Sequence, residues 1–179
     1  LTISNKGESI TILADSTRPD GLPLIVSLDQ FRLKNVSDVF ISDTSLVEGT
    51  VNGKLTLLSF KPFQFTSTLQ VDSLQLKEVN AGTLVIDVRE EVANEMLVDV
   101  RLKGSENDVT IKGQYHAKEA TTELQLNMAT FDLRNVAPFV TNFLRHLQGR
   151  MTGAVSAKGK IDALEIRGNL KTDSVDLVY

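Results

Sequence analysis

A period of two residues governs this chain. Leu84, Ile86 and Val88 share one parity; Met96, Val98, Val100 and Leu102 repeat it, as do Val109, Ile111 and Tyr115, then Leu124, Leu126 and Met128. Between them stand Asp87, Asp99, Arg101, Thr110, Lys112, Gln114, Glu123, Gln125 and Asn127. Successive strand residues point to opposite sides, so each run reads as a half-buried strand with one wet face and one aliphatic face. Antiparallel sheets permit that asymmetry, whereas doubly covered parallel sheets do not. The breaks are short and rich in turn formers: Asn5-Lys6-Gly7, Asn80-Ala81-Gly82, Ala93-Asn94-Glu95, Gly104 to Asp108, and Lys118 to Thr121. Connections this brief make sequential strands neighbours and predict an up-and-down all-β meander.

The sequence also repeats when slid against itself. Leu24, Phe31, Leu33, Asn35, Val36, Gly49 and Gly53 fall on Leu124, Phe131, Leu133, Asn135, Val136, Gly149 and Gly153. After a slip of one residue, Leu69, Ser73 and Leu76 fall on Leu170, Ser174 and Leu177. The internal repeats are residues 24–76 and 124–177, within a single repeat-built β domain over residues 1–179. Both copies flip parity twice, after Leu28 and Met128 and again at Asp72-Ser73 and Asp173-Ser174. One inserted residue restores the inward face while bending the strand. Bulges at matching positions curl a long sheet, so a gutter is expected rather than a slab.

Between Asn135 and Gly149 the period changes: Val136, Phe139, Phe143, Leu144 and Leu147 lie three to four residues apart, with Pro138 suited to a first helical turn. Ser37 to Leu46 is a weaker equivalent. One short helix per repeat is expected, packed as a plug on the sheet, since the stripe lacks the basic polar face of a membrane-surface helix.

Chemistry-bearing motifs are sparse. There is no Cys, which removes disulfides, thiolate metal sites and thiol nucleophiles, and the only histidines are His116 and His146. Lys and Arg number 19 against 23 Asp and Glu, a net charge of −4 that argues against a nucleic-acid platform. No stretch approaches the roughly 20 apolar residues of a membrane-spanning helix. No nucleophile elbow, phosphate loop or His-Glu-x-x-His occurs. Asp72 and Asp173 recur, but at bulges, where a carboxylate bonding nearby amides is expected; the recurring Asn35 is assigned to turn structure. The expectation is a non-enzyme with no catalytic residues, no metal and no cofactor. Leu1 to Asn5 carry neither an initiating Met nor a basic leader, and the alternation runs to the last residues, so the chain is expected to be a fragment of a longer protein.

What remains is the aliphatic face. Leu69, Val71, Leu84, Ile86, Val98, Val100, Leu102, Ile111, Leu124, Leu126, Val155, Ile166 and Leu170 supply branched aliphatic surface with hardly a polar anchor among them. Parity alone leaves two outcomes open. In one, the face closes on itself as the core of a β-sandwich, whose loops would serve adhesion or surface interaction. In the other it stays open as a groove. An open groove could not read a polar ligand, but a hydrocarbon chain in it gains about 0.8 kcal/mol per methylene removed from water.

Leu147-x-Gly149-x-Met151-x-Gly153, the alternating run to Gly159, and Leu164-x-Ile166-x-Gly168-x-Leu170 together resemble the recurring unit of the TamB and AsmA-like superfamily. The preceding Phe131-Asp-Leu-Arg-Asn-Val-Ala-Pro-Phe-Val is similar to that family's lead-in. The earlier copy departs from the pattern, with Ser59 in place of Gly159, Ser67 in place of Gly168, and Pro62 inserted. The resemblance implies a U-shaped β-taco, an open half-barrel with a lipid-holding interior, in a periplasmic segment of a protein anchored to the inner membrane of double-membrane bacteria. It implies phospholipid or another acyl-chain lipid as guest, roles in lipid transport or outer-membrane biogenesis, and an outer-membrane barrel assembly partner of the full-length protein. It brings no catalytic residues. Unpaired edges of such a sheet are also expected to favour self-association.

Overall fold

The computed structural model describes residues 1–5, 7–35, 47–140 and 146–178, apart from the side chains of His146, Leu177 and Val178. Eleven strands follow one another: β1 (Thr2–Asn5), β2 (Glu8–Ala14), β3 (Leu24–Arg32), β4 (Val47–Phe60), β5 (Phe63–Leu76), β6 (Val79–Val92), β7 (Glu95–Gly104), β8 (Asn107–His116), β9 (Thr121–Asp132), β10 (His146–Lys160) and β11 (Ala163–Val178). They form one antiparallel sheet in strict sequence order, a meander with no crossover. β1 and β11 are its two ends and do not pair, so the sheet is an open, curved half-barrel. No second sheet packs on it among the described residues, and the closed sandwich is therefore not the fold.

Local chemistry sets the hairpins. Ser105 and Glu106 both take positive φ (51° and 82°), as does Asn94 (69°), the geometry that matches the right-handed twist of the flanking strands. One turn differs from the sequence expectation. The β5–β6 reversal is at Lys77 and Glu78 (φ 55° and 72°), and Asn80-Ala81-Gly82 lies inside β6 instead. There the register slips, Leu74 pairing with Gly82 and Gln75 with Asn80, and Ala81 is fully buried in the core. A turn-like tripeptide is thus used as a bulge.

The parity flips coincide with bulges. Leu28 pairs with Gly53 and Phe31 with Val51; on β9 and β10, Met128 pairs with Gly153 and Phe131 with Met151. At the second flip Glu48 pairs with Gln75 and Thr50 with Asp72, while Gln148 pairs with Asp176 and Arg150 with Asp173. Ser73 and Ser174 absorb the extra residue at φ 51° and 53°. The carboxylates beside them bond side chains: Asp72 accepts from the Gln70 amide at 2.8 Å and Asp173 from the Ser174 hydroxyl at 3.2 Å. They sit on β5 and β11, six strands apart, so they form no carboxylate pair.

Two glycines lie directly beneath neighbouring backbone. A Cβ on Gly113 would lie 1.9 Å from the Glu123 carbonyl oxygen of the neighbouring strand, and one on Gly53 would lie 1.9 Å from that of Thr68. Both glycines sit on the aliphatic face, where the neighbouring carbonyl lies in the place a side chain would take.

Of the helix expected at Asn135 to Gly149, the part that holds Phe143 and Leu144 lies outside the described residues, and the flanking parts are not α-helical. Leu133–Asn135 and Ala137–Phe139 are single 3-10 turns, with Pro138 in the second, and β10 already begins at His146, which puts Leu147 in a strand opposite Leu177. Pairing with β11 overrides the helical spacing there. The Ser37 to Leu46 expectation lies outside the described residues. At this end of the sheet Val51, Val71, Leu74 and Ala81 form a buried cluster, joined by Leu28, Leu33, Val47 and Leu76.

We expect Gly113→Ala to lower the unfolding free energy by more than about 2 kcal/mol, because backbone rather than a flexible side chain must yield. Urea unfolding measures it. Lys112→Ala, on the opposite face, should stay within about 0.5 kcal/mol; equal effects would contradict the close backbone approach at Gly113.

Candidate functional site

Register turns the separate alternations into continuous rows. Across all eleven strands the pairing runs Ile3, Ile10, Leu28, Gly53, Leu69, Ile86, Val100, Ile111, Leu126, Val155 and Gly168. On one side lies the row Val51, Val71, Leu84, Leu102, Val109, Met128, Gly153 and Leu170. On the other lies Val26, Leu55, Ser67, Val88, Val98, Gly113, Leu124, Ala157 and Ile166. All thirteen aliphatic positions singled out in the sequence fall in these three rows. Sequence reasoning did not nominate Ile10, Leu28, Leu55, Val88, Val109 or Met128 for the groove, although the same alternation marks them.

The rows line the inner side of the curve. Val51, Ser67, Val71, Val88 and Met128, all buried, belong to them. Yet the surface is not sealed. Of the thirteen, only Val71 is buried, at 6% exposure; ten are half-buried, and Ile166 and Leu170 remain 66% and 47% exposed. A compact globular chain of 19.7 kDa exposes about 8,600 Å². This chain exposes 11378 Å². The excess is that of a single-layer sheet with no second layer packed on it among the described residues. At the usual strand spacing, ten strand-to-strand steps make the rows about 48 Å long along the sheet.

Its lining offers no polar anchor of the kind that selects a polar ligand. Ser67 and Thr122 are buried on the inner face, but their hydroxyls donate to the Ile86 and Gln114 carbonyls, at 3.5 and 3.0 Å. Apart from Glu8 and Glu90 at strand ends, charge is concentrated on the outer face, in pairs such as Arg89 with Asp87 (3.1 Å) and Lys158 with Glu123 (2.9 Å). Pairs of this kind contribute little to stability and chiefly keep that face in water. Sequence reasoning missed one outer feature, a hollow of about 750 Å³ over β7 to β9 lined by Asp99, Lys112, Gln114, Glu123 and Gln125. His116 stands beside Glu95 at 3.8 Å, and the His146 backbone pairs with Val178. No grouping of His, Asp or Glu suited to a metal ion occurs among the described residues. No helix among them is long and apolar enough to cross a membrane.

Two polar corners fix one rim of the trough. In the first, the Asn35 amide donates to Glu8 at 2.7 Å, and Arg32 donates to the same carboxylate from its backbone and its guanidinium. In the second, Asn107 Oδ1 accepts from the Asp132 backbone at 3.0 Å and from the Asn135 amide at 3.3 Å. Asn107 Nδ2 donates in turn to the Ala81 carbonyl at 2.9 Å, tying the corner to the core. The recurring asparagines thus anchor the chain as it leaves β3 and β9. Arg32 holds the Glu8 carboxyl below its ordinary range, against the opposing effect of burial. Burial pushes the Asp132 carboxyl up, but the Arg134 guanidinium and backbone N–H outweigh it and hold it below the usual value.

Compared with known proteins, the chain matches no family model, no curated protein and no solved structure.

Carboxyls depressed in the fold contribute stability that is present above their unfolded pKa, near 4, and lost as pH falls through the lower folded value. Stability of the intact chain should therefore fall steadily below about pH 4. Asp132→Asn should be less stable at pH 7 and show a shallower acid decline. Urea midpoints across pH test this, and an unchanged acid slope would contradict the Asp132 assignment.

Proposed function

We propose that this chain is a non-catalytic lipid-holding segment, in which the acyl chains of phospholipids or similar lipids lie in the apolar trough and their headgroups stay outside it. One observation carries the reading. Three adjoining aliphatic rows run unbroken by any charge across the sheet, and the chain's own side chains leave them half-exposed. A surface like that binds without directional contacts, and each methylene it takes from water contributes about 0.8 kcal/mol. The trough is about three times as long as the roughly 15 Å that one leaflet's chains occupy, half of a hydrocarbon core about 30 Å thick. It would therefore hold chains end to end rather than enclose one.

The resemblance of Leu147 to Leu170 to TamB and AsmA-like repeats adds the setting. In this reading the segment belongs to a periplasmic bridge anchored in the inner membrane, serving lipid transport or outer-membrane biogenesis beside an outer-membrane barrel partner of the full-length protein. The mechanism is passive: the trough lowers the cost of carrying hydrocarbon through water, and direction comes from elsewhere.

The test is to express the chain in bacteria and identify lipid that copurifies by mass spectrometry. Val100→Asp and Leu126→Asp each place a charge in the middle row, and lipid per chain is expected to drop at least about tenfold, given the cost of burying an unpaired charge. Gln125→Asp, on the outer face, should leave lipid unchanged. Full lipid occupancy in folded Val100→Asp and Leu126→Asp chains would overturn the proposal.

A further inference from the structure

Beyond the three aliphatic rows, toward the turns that join β6 to β7 and β8 to β9, a further row lies on the inner side. Direct strand pairing runs it through Glu90, Met96, Tyr115, Thr122, Gly159 and Leu164. Met96 is fully buried and Thr122 nearly so, which places the row on the wall of the trough. Glu90 keeps the parity of Leu84, Ile86 and Val88, with no register shift from Thr83 to Glu90. Its carboxylate is therefore carried on the inner side, at the rim.

Among the described residues only two charged side chains stand on the inner side of the strands, Glu8 and Glu90, and their situations are opposite. Glu8 lies at the rim of the polar corners, where Arg32 and Asn35 already bind it. Glu90 lies at the other rim. Its Oε1 accepts the Asn94 backbone N–H at 3.1 Å, and no cation among the described residues pairs with it. The adjacent Arg89 lies on the outer face and pairs with Asp87 at 3.1 Å. Tyr115, two strands along the row, is half-buried, and its hydroxyl has no hydrogen-bond partner among the described residues. The rims differ in their apolar residues too: the Val51, Val71, Leu74 and Ala81 cluster fills the corner rim, whereas Phe63 and Leu164 stay exposed at the rim of Glu90.

We infer, resting on the lipid-holding function proposed above, that this row receives the lipid headgroup and favours one that carries a primary ammonium, as phosphatidylethanolamine does. The ammonium supplies the cation that Glu90 lacks among the described residues, in a charge-assisted hydrogen bond. The Tyr115 hydroxyl, about 10 Å along the row by two strand spacings, is placed to donate to the phosphate or an ester oxygen of the same lipid. An anionic headgroup, such as that of phosphatidylglycerol, meets the carboxylate as a like charge. Because Glu90 stands at a wet rim, its pair with an ammonium is of the solvent-exposed kind, and the result is a preference of about two- to fivefold rather than absolute selection.

The test loads delipidated chain from vesicles of equal phosphatidylethanolamine and phosphatidylglycerol with identical acyl chains, at less than one lipid per chain, and quantifies both bound lipids by mass spectrometry. The net charge of −4 disfavours the anionic lipid everywhere, so the readout is the change in ratio on substitution. Glu90→Gln keeps an acceptor for the Asn94 N–H and is expected to lower the ethanolamine-to-glycerol ratio about two- to fivefold. Glu119→Gln removes the same charge from an exposed turn at the same rim and should leave the ratio unchanged. Carbodiimide should join the amine of bound phosphatidylethanolamine to Glu90 and not to Glu119. A ratio that Glu90→Gln does not move, an equal fall in Glu119→Gln, or no amide adduct at Glu90 would each overturn the headgroup assignment, while the bound lipid itself would still support the trough. Unmodified chain that takes up neither lipid would overturn both.

Discussion

The structure depends on registration between strands. Alternation along one strand only divides its residues between two sides; pairing without crossover stacks those divisions into rows, and a slip of one residue would send an entire strand's aliphatic set into water. Because Leu69, Ile86, Val100, Ile111, Leu126 and Val155 fall in one line, six half-buried strands become one continuous surface. The bulges serve this constraint. Where a strand must bend, Ser73 and Ser174 take the extra residue, and the aliphatic face resumes on the correct side.

Curvature without closure explains the uneven burial. At one rim the Val51, Val71, Leu74 and Ala81 cluster and the two polar corners make a small conventional core. Along the middle no second layer covers the rows among the described residues, and they remain half-exposed. A sheet of this shape is stabilised mainly by neighbour-on-neighbour contacts, so its stability is distributed along the array rather than concentrated in a central core. Residues on the outer face pair opposite charges along and across strands.

Much of this was legible in the chain itself. The alternation of Leu84 to Leu102 marked strands and faces, and the parity flips near Leu28, Met128, Asp72 and Asp173 marked the bulges, because both signals are local consequences of the pleat. Other features depend on partners distant in sequence. Asn80-Ala81-Gly82 carries turn chemistry, yet Lys77 and Glu78 make the turn, since pairing Leu76 with Val79 buries Ala81. Of the helical stripe, Val136 and Phe139 lie in or beside 3-10 turns and Leu147 lies in β10, paired with β11. That a carbonyl takes the side-chain place at Gly53 and Gly113 is visible only once the neighbouring strands are placed. The corner roles of Asn35 and Asn135 likewise require Glu8 and Asn107, far back along the chain.

The central claim is that the middle row is reachable from solvent and is the place hydrocarbon occupies. The chain has no native cysteine, so single cysteines at Ile86, Ile111 and Val155 report on that row alone. Their labelling rates with a small water-soluble thiol reagent, in delipidated protein and after loading with phospholipid, measure the claim most directly. The account predicts labelling at a sizeable fraction of the rate of a surface cysteine without lipid, and strong protection once lipid is bound. Slow labelling in both states would mean a sealed interior, and fast labelling in both would mean a face that holds no lipid; either result contradicts it.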